Sequence, residues 1–234
     1  MIGRIIMDRE GAALVFGEFG TGKTTIMRRI FSELRDHQEY RVGIIENASH
    51  CPTEYQLAGT ILECFGEDSR HNDTKGRYDQ IKSLLLENYQ KGIVSVLLID
   101  EAHKLPARVL ESLRGLLNFE TAEEKVIQFV IFAQRPILRK LNYAKSLKNR
   151  LLKCELTRMS DTEFDEMLRW RFTQAGGVVF PFESDAVKHL YEITKGLPRT
   201  ALGIAQASLE IAASKDGRVT VPIIELAKET RFLD

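Results

Sequence analysis

Gly17-Glu18-Phe19-Gly20-Thr21-Gly22-Lys23-Thr24 is the stretch that decides the fold. It has the form G-x-x-x-x-G-K-[ST], in which glycines permit a turn whose backbone N–H groups point inward as an anion nest. Ahead of it, residues 12–16 (Ala-Ala-Leu-Val-Phe) read as a buried strand. Behind it, residues 25–34 continue as a helix, whose positive end adds to the nest. A glycine-rich turn without phosphate leaves this strand–loop–helix context unexplained. The spacing therefore predicts a nucleotide loop over Gly17 to Thr25, binding ATP. Lys23 reaches the β- and γ-phosphates, and the Thr24 hydroxyl ligates Mg²⁺.

The second signal is Val96-Leu97-Leu98-Ile99-Asp100-Glu101. Four apolar residues bury a strand whose carboxyl end delivers two adjacent carboxylates to the phosphate site. Asp100 is expected to hold Mg²⁺ through water, and Glu101 to polarise the attacking water. Acids after strands are common caps, so the pair gains its meaning from the preceding loop. Gln134 ends another apolar run, Phe129-Val130-Ile131-Phe132-Ala133, where its side chain can orient water or touch the γ-phosphate. At other strand ends a glutamine is an ordinary loop residue. Arg150 precedes the last strand, where it suits an arginine finger for a neighbouring subunit, a surface ion pair or a DNA contact. Arg199, in Lys195-Gly196-Leu197-Pro198-Arg199, opens a helix able to fold back over nucleotide, or is an exposed first-turn arginine.

Outward from these motifs, residues 12–16, 42–45, 94–99, 126–133 and, less regularly, 151–156 read as strands. The first four are too continuously apolar for one-sided strands, which implies a parallel sheet covered on both faces. Leu57, Ile61, Leu62 and Phe65 recur at helical spacing, as do Tyr78, Ile81, Leu85 and Tyr89. Leu105-Pro106 introduces a third helix with Val109, Leu110, Leu113 and Leu117 inward. Residues 66–76 read as a polar loop. After Leu156 the strands stop: Ser160-Asp161-Thr162-Glu163 is a capping box, Gly176-Gly177 ends its helix, and further helices start near Ser184, Pro198 and Pro222. The expected architecture is an α/β P-loop NTPase domain, residues 1–158, with a five-stranded parallel sheet. A small all-helical lid, residues 159–234, follows it.

Thirty-three basic and 33 acidic residues cancel, so total charge draws the chain to neither nucleic acid nor membrane. No run approaches the roughly 18 apolar residues of a membrane helix, and the start lacks a signal-peptide pattern. Cys51, Cys64 and Cys154 are odd in number and scattered, as suits free thiols in a cytoplasm. His50 beside Cys51 and His71 after Cys64 match no zinc spacing.

Together these pieces resemble the AAA+ ATPases of the ExeA/GspA family, related to the transposition ATPases TnsC, TniB and MuB. Residues 17–25 resemble that family's P-loop, and residues 98–105 its "IIDEA…L" segment. Leu110-Glu111-Ser112-Leu113-Arg114-Gly115-Leu116-Leu117-Asn118-Phe119-Glu120-Thr121 is similar to its "LEELRLLSNLET" stretch. Residues 130–138 resemble "LVGQPEL", which implies a sensor-1 role for Gln134. Residues 196–199 resemble the sensor-2 "G-x-P-R", and residues 172–177 its "RL-x-x-AG". The likeness runs from about residue 10 to 230. Two departures stand out: only 11 residues precede Ala12, which implies an incomplete adenine pocket or a shortened form, and Arg135-Pro136-Ile137 replaces Pro-Glu-Leu.

The resemblance implies hydrolysis of ATP and ATP-dependent homo-oligomers, rings or filaments. For the work done, local charge favours double-stranded DNA. Residues 125–154 hold no acid but carry Lys125, Arg135, Arg139, Lys140, Lys145, Lys148, Arg150 and Lys153. Arg139, Lys140, Lys145 and Lys148 are the expected DNA contacts, on one helix outside the sheet, and the partner is a transposase or recombinase. Two alternatives stand beside it: a secretion or assembly ATPase of the ExeA type, and a nucleotide switch with little turnover.

Overall fold

The computed structural model describes residues 2–119, 124–214 and 217–232. Glu120 and Thr121, which end the family-like stretch quoted above, lie outside the described residues, as do Met1 and the last two residues of the chain. The chain forms two compact units, one of residues 1–17 and 23–156, the other of residues 18–22 and 157–234.

In the first unit, α1 (Ile2–Met7) leads into β1 (Ala12–Gly17), then α2 (Lys23–Arg35) and β2 (Tyr40–Ile45). After a 3₁₀ turn come α3 (Glu54–Cys64), α4 (Thr74–Gln90) and β3 (Val94–Ile99). A second 3₁₀ turn (Ala102–Lys104) precedes α5 (Ala107–Leu117), β4 (Ile127–Ala133), α6 (Ile137–Leu141), α7 (Lys145–Lys148) and β5 (Leu152–Leu156). The five strands are all parallel, in the order β2-β3-β4-β1-β5.

Alternation of side chains across the pleat divides each inner strand between two cores. Leu14, Phe16, Leu97, Ile99, Phe129 and Ile131 pack with α3, α4 and α5. Ala13, Val15, Val96, Leu98, Val130 and Phe132 pack with Ile5 and Ile6 of α1 and Met27 of α2. Both faces are apolar because both are covered, which is why these strands read as unbroken apolar runs. β5 pairs with β1 at the edge of the sheet and none of its residues is fully buried, and its sequence is correspondingly less regular.

Several local features depart from the expectations. The helix α1 was not anticipated; six residues are too few to display a period. The loop expected over 66–76 ends earlier, because Asp73 accepts the Gly76 N–H at 2.8 Å and caps α4. The single helix expected around Arg139 to Lys148 is two short ones, since buried Ala144 leaves the helical region (φ −109°, ψ 57°) between them.

The second unit contains α8 (Asp161–Gln174), α9 (Ser184–Thr194), α10 (Pro198–Ala213) and α11 (Val221–Phe232) around Phe164, Leu190, Ile204 and Ile224. Ser160 and Glu163 form the capping box in both directions. One isolated parallel bridge, Phe182 with Val219, accompanies the helices. The left-handed turn at Gly196 (φ 71°) sits against the Met159 backbone.

Candidate active site

Parallel strands end along one edge of the sheet, and the first unit gathers its chemistry there. Gly17 closes β1, Asp100 and Glu101 follow β3, and Gln134 follows β4. Lys23, in the first turn of α2, is only 6% exposed, and its ammonium donates to the Gly17 carbonyl at 3.1 Å. Burial pushes its pKa down, against the smaller opposing pull of Asp100 and Glu101.

Asp100 is 2% exposed and fully engaged. Its Oδ2 accepts the Thr24 hydroxyl at 2.6 Å and its Oδ1 the Glu101 N–H at 2.7 Å. Its own N–H donates to the Ile45 carbonyl at 2.8 Å, tying the end of β3 to the end of β2. A hydroxyl and a carboxylate oxygen converging beside a buried ammonium form a hard-oxygen set suited to Mg²⁺ accompanied by phosphate. The residues present therefore fit a magnesium nucleotide.

Glu101 adopts a left-handed backbone (φ 55°, ψ 27°), a conformation that costs a non-glycine residue about 1–2 kcal/mol. The turn sets its carboxylate beside the residues two and three positions on: Oε2 lies 3.7 Å from His103 Nε2 and 3.1 Å from the Lys104 ammonium. On its other side, His103 Nδ1 accepts the Gln134 backbone N–H at 3.2 Å. Burial lowers the His103 pKa most; Glu101 raises it, while Lys104, Lys140 and Lys23 lower it further. Neither His103 nor Lys104 was among the expected site residues. The available signal was their place in the same short turn as Glu101. Gln134 joins this cluster through its backbone.

In the second unit the tip of the loop is held by its own set of contacts. Thr21 Oγ1 donates to the Glu18 carbonyl at 2.9 Å. The Arg158 guanidinium grips Glu18 Oε2 through Nε at 2.9 Å and Nη2 at 2.7 Å, a role the sequence reading did not assign. The Arg199 N–H donates to the Gly20 carbonyl at 3.2 Å, and its guanidinium lies 4.6 Å from the centre of the exposed Phe19 ring. Gly20 and Gly22 take φ of 86° and 95°, the left-handed geometry their positions require.

The remaining expected residues are more dispersed. Thr25 is exposed in α2. Arg150 is exposed just before β5, close enough to Lys125 to lower that lysine's pKa, after burial as the main cause. Arg139 and Lys145 are exposed, on different short helices. Lys140 instead donates to the Leu105 carbonyl at 2.8 Å, and Lys148 to Asn142 Oδ1 at 2.9 Å. Arg135 pairs with Glu155 at 2.8 Å.

A parallel sheet, a glycine loop entering a helix and paired carboxylates at the end of β3 define a nucleotide-binding P-loop NTPase. Residues 6–141 match the family model described as AAA domain, and the chain belongs to that family. It is 34% identical over 203 residues to general secretion pathway protein A of Aeromonas hydrophila, a match covering 83% of this chain and 36% of that protein. The chain thus spans little more than a third of that relative. Among solved structures it is similar to the ORC2 protein of Aeropyrum pernix with ADPNP and ADP (TM-score 0.68, 17% identity, 97% of this chain and 64% of that one). It is also similar to the ORC1 protein of the same organism in complex with DNA (TM-score 0.68, 18% identity, 98% and 62%). A RuvB mutant of Thermotoga maritima gives a TM-score of 0.59 at 18% identity, over 100% of this chain and 67% of that one. Among the described residues no helix is long and apolar enough to cross a membrane.

Proposed function

We propose that this chain hydrolyses Mg²⁺-bound ATP, assembles with itself when ATP is bound, and in that form binds duplex DNA as a regulator of transposition or related recombination. The observation that carries the catalytic part is the Thr24 hydroxyl on the Asp100 carboxylate at 2.6 Å, beside the buried ammonium of Lys23.

The glycine loop receives the phosphate chain and Lys23 neutralises its outer oxygens. Mg²⁺, when bound, supplies positive charge at the β- and γ-phosphate oxygens. Thr24 and Asp100 orient toward that ion, and Glu101 draws a proton from the attacking water. Gln134 orients that water. Arg199 stabilises phosphate charge within the subunit, and Arg150 does so in a neighbour, which makes hydrolysis depend on a ring or filament. The domain division at about residue 158, with the helical part as a lid, and a cytoplasmic place of work belong to the same proposal.

The DNA reading is supported by the acid-free run of residues 125–154, with Arg139, Lys145 and Arg150 exposed. Lys140 and Lys148 contribute less, being drawn to protein acceptors. With few phosphate contacts per subunit, affinity comes from repetition in the assembly and falls steeply with salt. A second reading, an ATPase of the secretion or assembly kind acting on protein or envelope components, is favoured by the 34% identity to the general secretion protein.

Two measurements test this. Phosphate release should be lost in Glu101→Gln while nucleotide binding persists; wild-type turnover in that variant removes the role given to Glu101. Fluorescence anisotropy with a labelled duplex should show binding in ATP and not ADP, weakened by Arg139→Glu with Lys145→Glu. No binding at low salt leaves the secretion reading in its place.

A further inference from the structure

We infer that His103 is a positioning residue for Glu101, linking its carboxylate to the backbone at the end of β4. This rests on the hydrolytic reading above and goes beyond it by assigning the group that aims the proton acceptor.

Three observations converge. First, Glu101 is held in a left-handed backbone, so its carboxylate direction is set by a local turn rather than by a regular strand. Second, His103 is largely buried, with its side chain 13% exposed, and its two nitrogens have different neighbours. Nδ1 receives an N–H from Gln134 and must therefore be the unprotonated nitrogen. The proton of the neutral ring then sits on Nε2, on the side of Glu101 Oε2. Third, four charged groups act on this ring: Glu101 attracts a proton to it, while Lys104, Lys140 and Lys23 repel one. Burial tips the balance toward the neutral ring, the only form that can accept from Gln134.

At 3.7 Å the contact with Glu101 is a charge–dipole one, longer than a hydrogen bond. It still fixes direction. Lys104 approaches the same Oε2 from a flexible, half-exposed stem, whereas the imidazole is pinned at its other nitrogen to β4. Any shift at the end of β4, where Gln134 stands, is thereby passed to the Glu101 carboxylate through one rigid ring.

Two half-substitutions separate the functions of the ring. In His103→Asn the amide oxygen replaces the Nδ1 acceptor but does not reach Glu101. In His103→Gln the amide N–H₂ replaces the Nε2 donor. Turnover should fall by about tenfold or more in His103→Ala, His103→Asn and His103→Gln alike, because each keeps at most one of the ring's two contacts. Nucleotide affinity, read by titration with a fluorescent ATP analogue, should change by less than about threefold in all three, in the range of a general-acid–base alignment effect. Equal turnover in wild type and His103→Ala, or parallel losses of affinity and turnover, would overturn the assignment. A readout independent of turnover is the long-range ¹H–¹⁵N spectrum of the nucleotide-free protein. It should show Nε2 of His103 protonated, Nδ1 bare, and a displaced Nε2 resonance in Glu101→Gln. A bare Nε2, or no displacement, overturns the inference even if the protein hydrolyses ATP. The expected spectrum in a wild-type protein without turnover overturns the hydrolytic reading instead and leaves the His103–Glu101 link standing.

Discussion

Replacing Lys23 by methionine should leave the nucleotide-free protein about as stable as before and remove its response to ATP. The side chain is 6% exposed, and the leading influence on its pKa is burial, which opposes the charged form. Methionine fills a similar volume without that desolvation. It forfeits the hydrogen bond to Gly17, whose loss costs about 1–3 kcal/mol and offsets part of the relief. With nucleotide the balance reverses. An ammonium about 4 Å from a phosphate charge gains roughly 4 kcal/mol at an effective dielectric constant near 20, about a thousandfold in affinity. At a ligand concentration of about 100 Kd, wild type gains about 2.7 kcal/mol, a rise in Tm of roughly 5–11 °C for a chain of this length. A thousandfold weaker site at the same concentration gains less than about 0.1 kcal/mol. The pH dependence has a definite sign. Because the folded pKa lies below the ordinary 10.5, the unfolded chain binds more protons between those values, so stability rises with pH as 10.5 is approached. Lys23→Met should lack that rise. Thermal melts with and without Mg²⁺-ATP at several pH values measure all three effects. An undiminished ATP shift in the variant, or a nucleotide-free Tm lowered by more than about 10 °C, would refute the reasoning.

Three further outcomes are expected. Arg150→Ala and Glu101→Gln, each inactive alone, should regain about a quarter of wild-type phosphate release when mixed equally, the chance that an intact Glu101 meets an intact neighbouring Arg150; no gain on mixing removes the finger. Gly196→Ala should cost at least about 3 kcal/mol in urea denaturation, since φ is 71° and a Cβ there would lie 2.2 Å from the Met159 carbonyl oxygen, a backbone atom; a loss below about 1 kcal/mol would contradict that geometry. Cys64, pushed up to about 11 from 9.0 by burial, should hold about a hundredfold less thiolate near neutral pH than the same residue in denatured protein. Labelling with a maleimide followed by peptide mapping would expose a fast-reacting Cys64.

Much of the site was legible because its signals are local. Residues 17–24 announce a loop geometry through glycine, a cation through Lys23 and, through Thr24, a hydroxyl that the fold sets on the Asp100 carboxylate. Unbroken apolar runs such as Val96 to Ile99 announced a sheet covered on both sides, since burial on both faces leaves no polar alternation to see. What the chain could not display in one dimension is which distant groups share a partner. Lys140 belonged to a basic run by sequence, yet in the fold it donates to the Leu105 carbonyl, because α6 lies beside the turn after β3. His103 follows Glu101 by two positions, but its partner Gln134 stands just past the end of β4, the strand beside β3 in the sheet. Local sequence determined that Lys23 and Thr24 open the helix that follows the glycine loop. Strand order decided which backbone atom the imidazole meets, because that depends on parallel pairing between segments far apart in the chain.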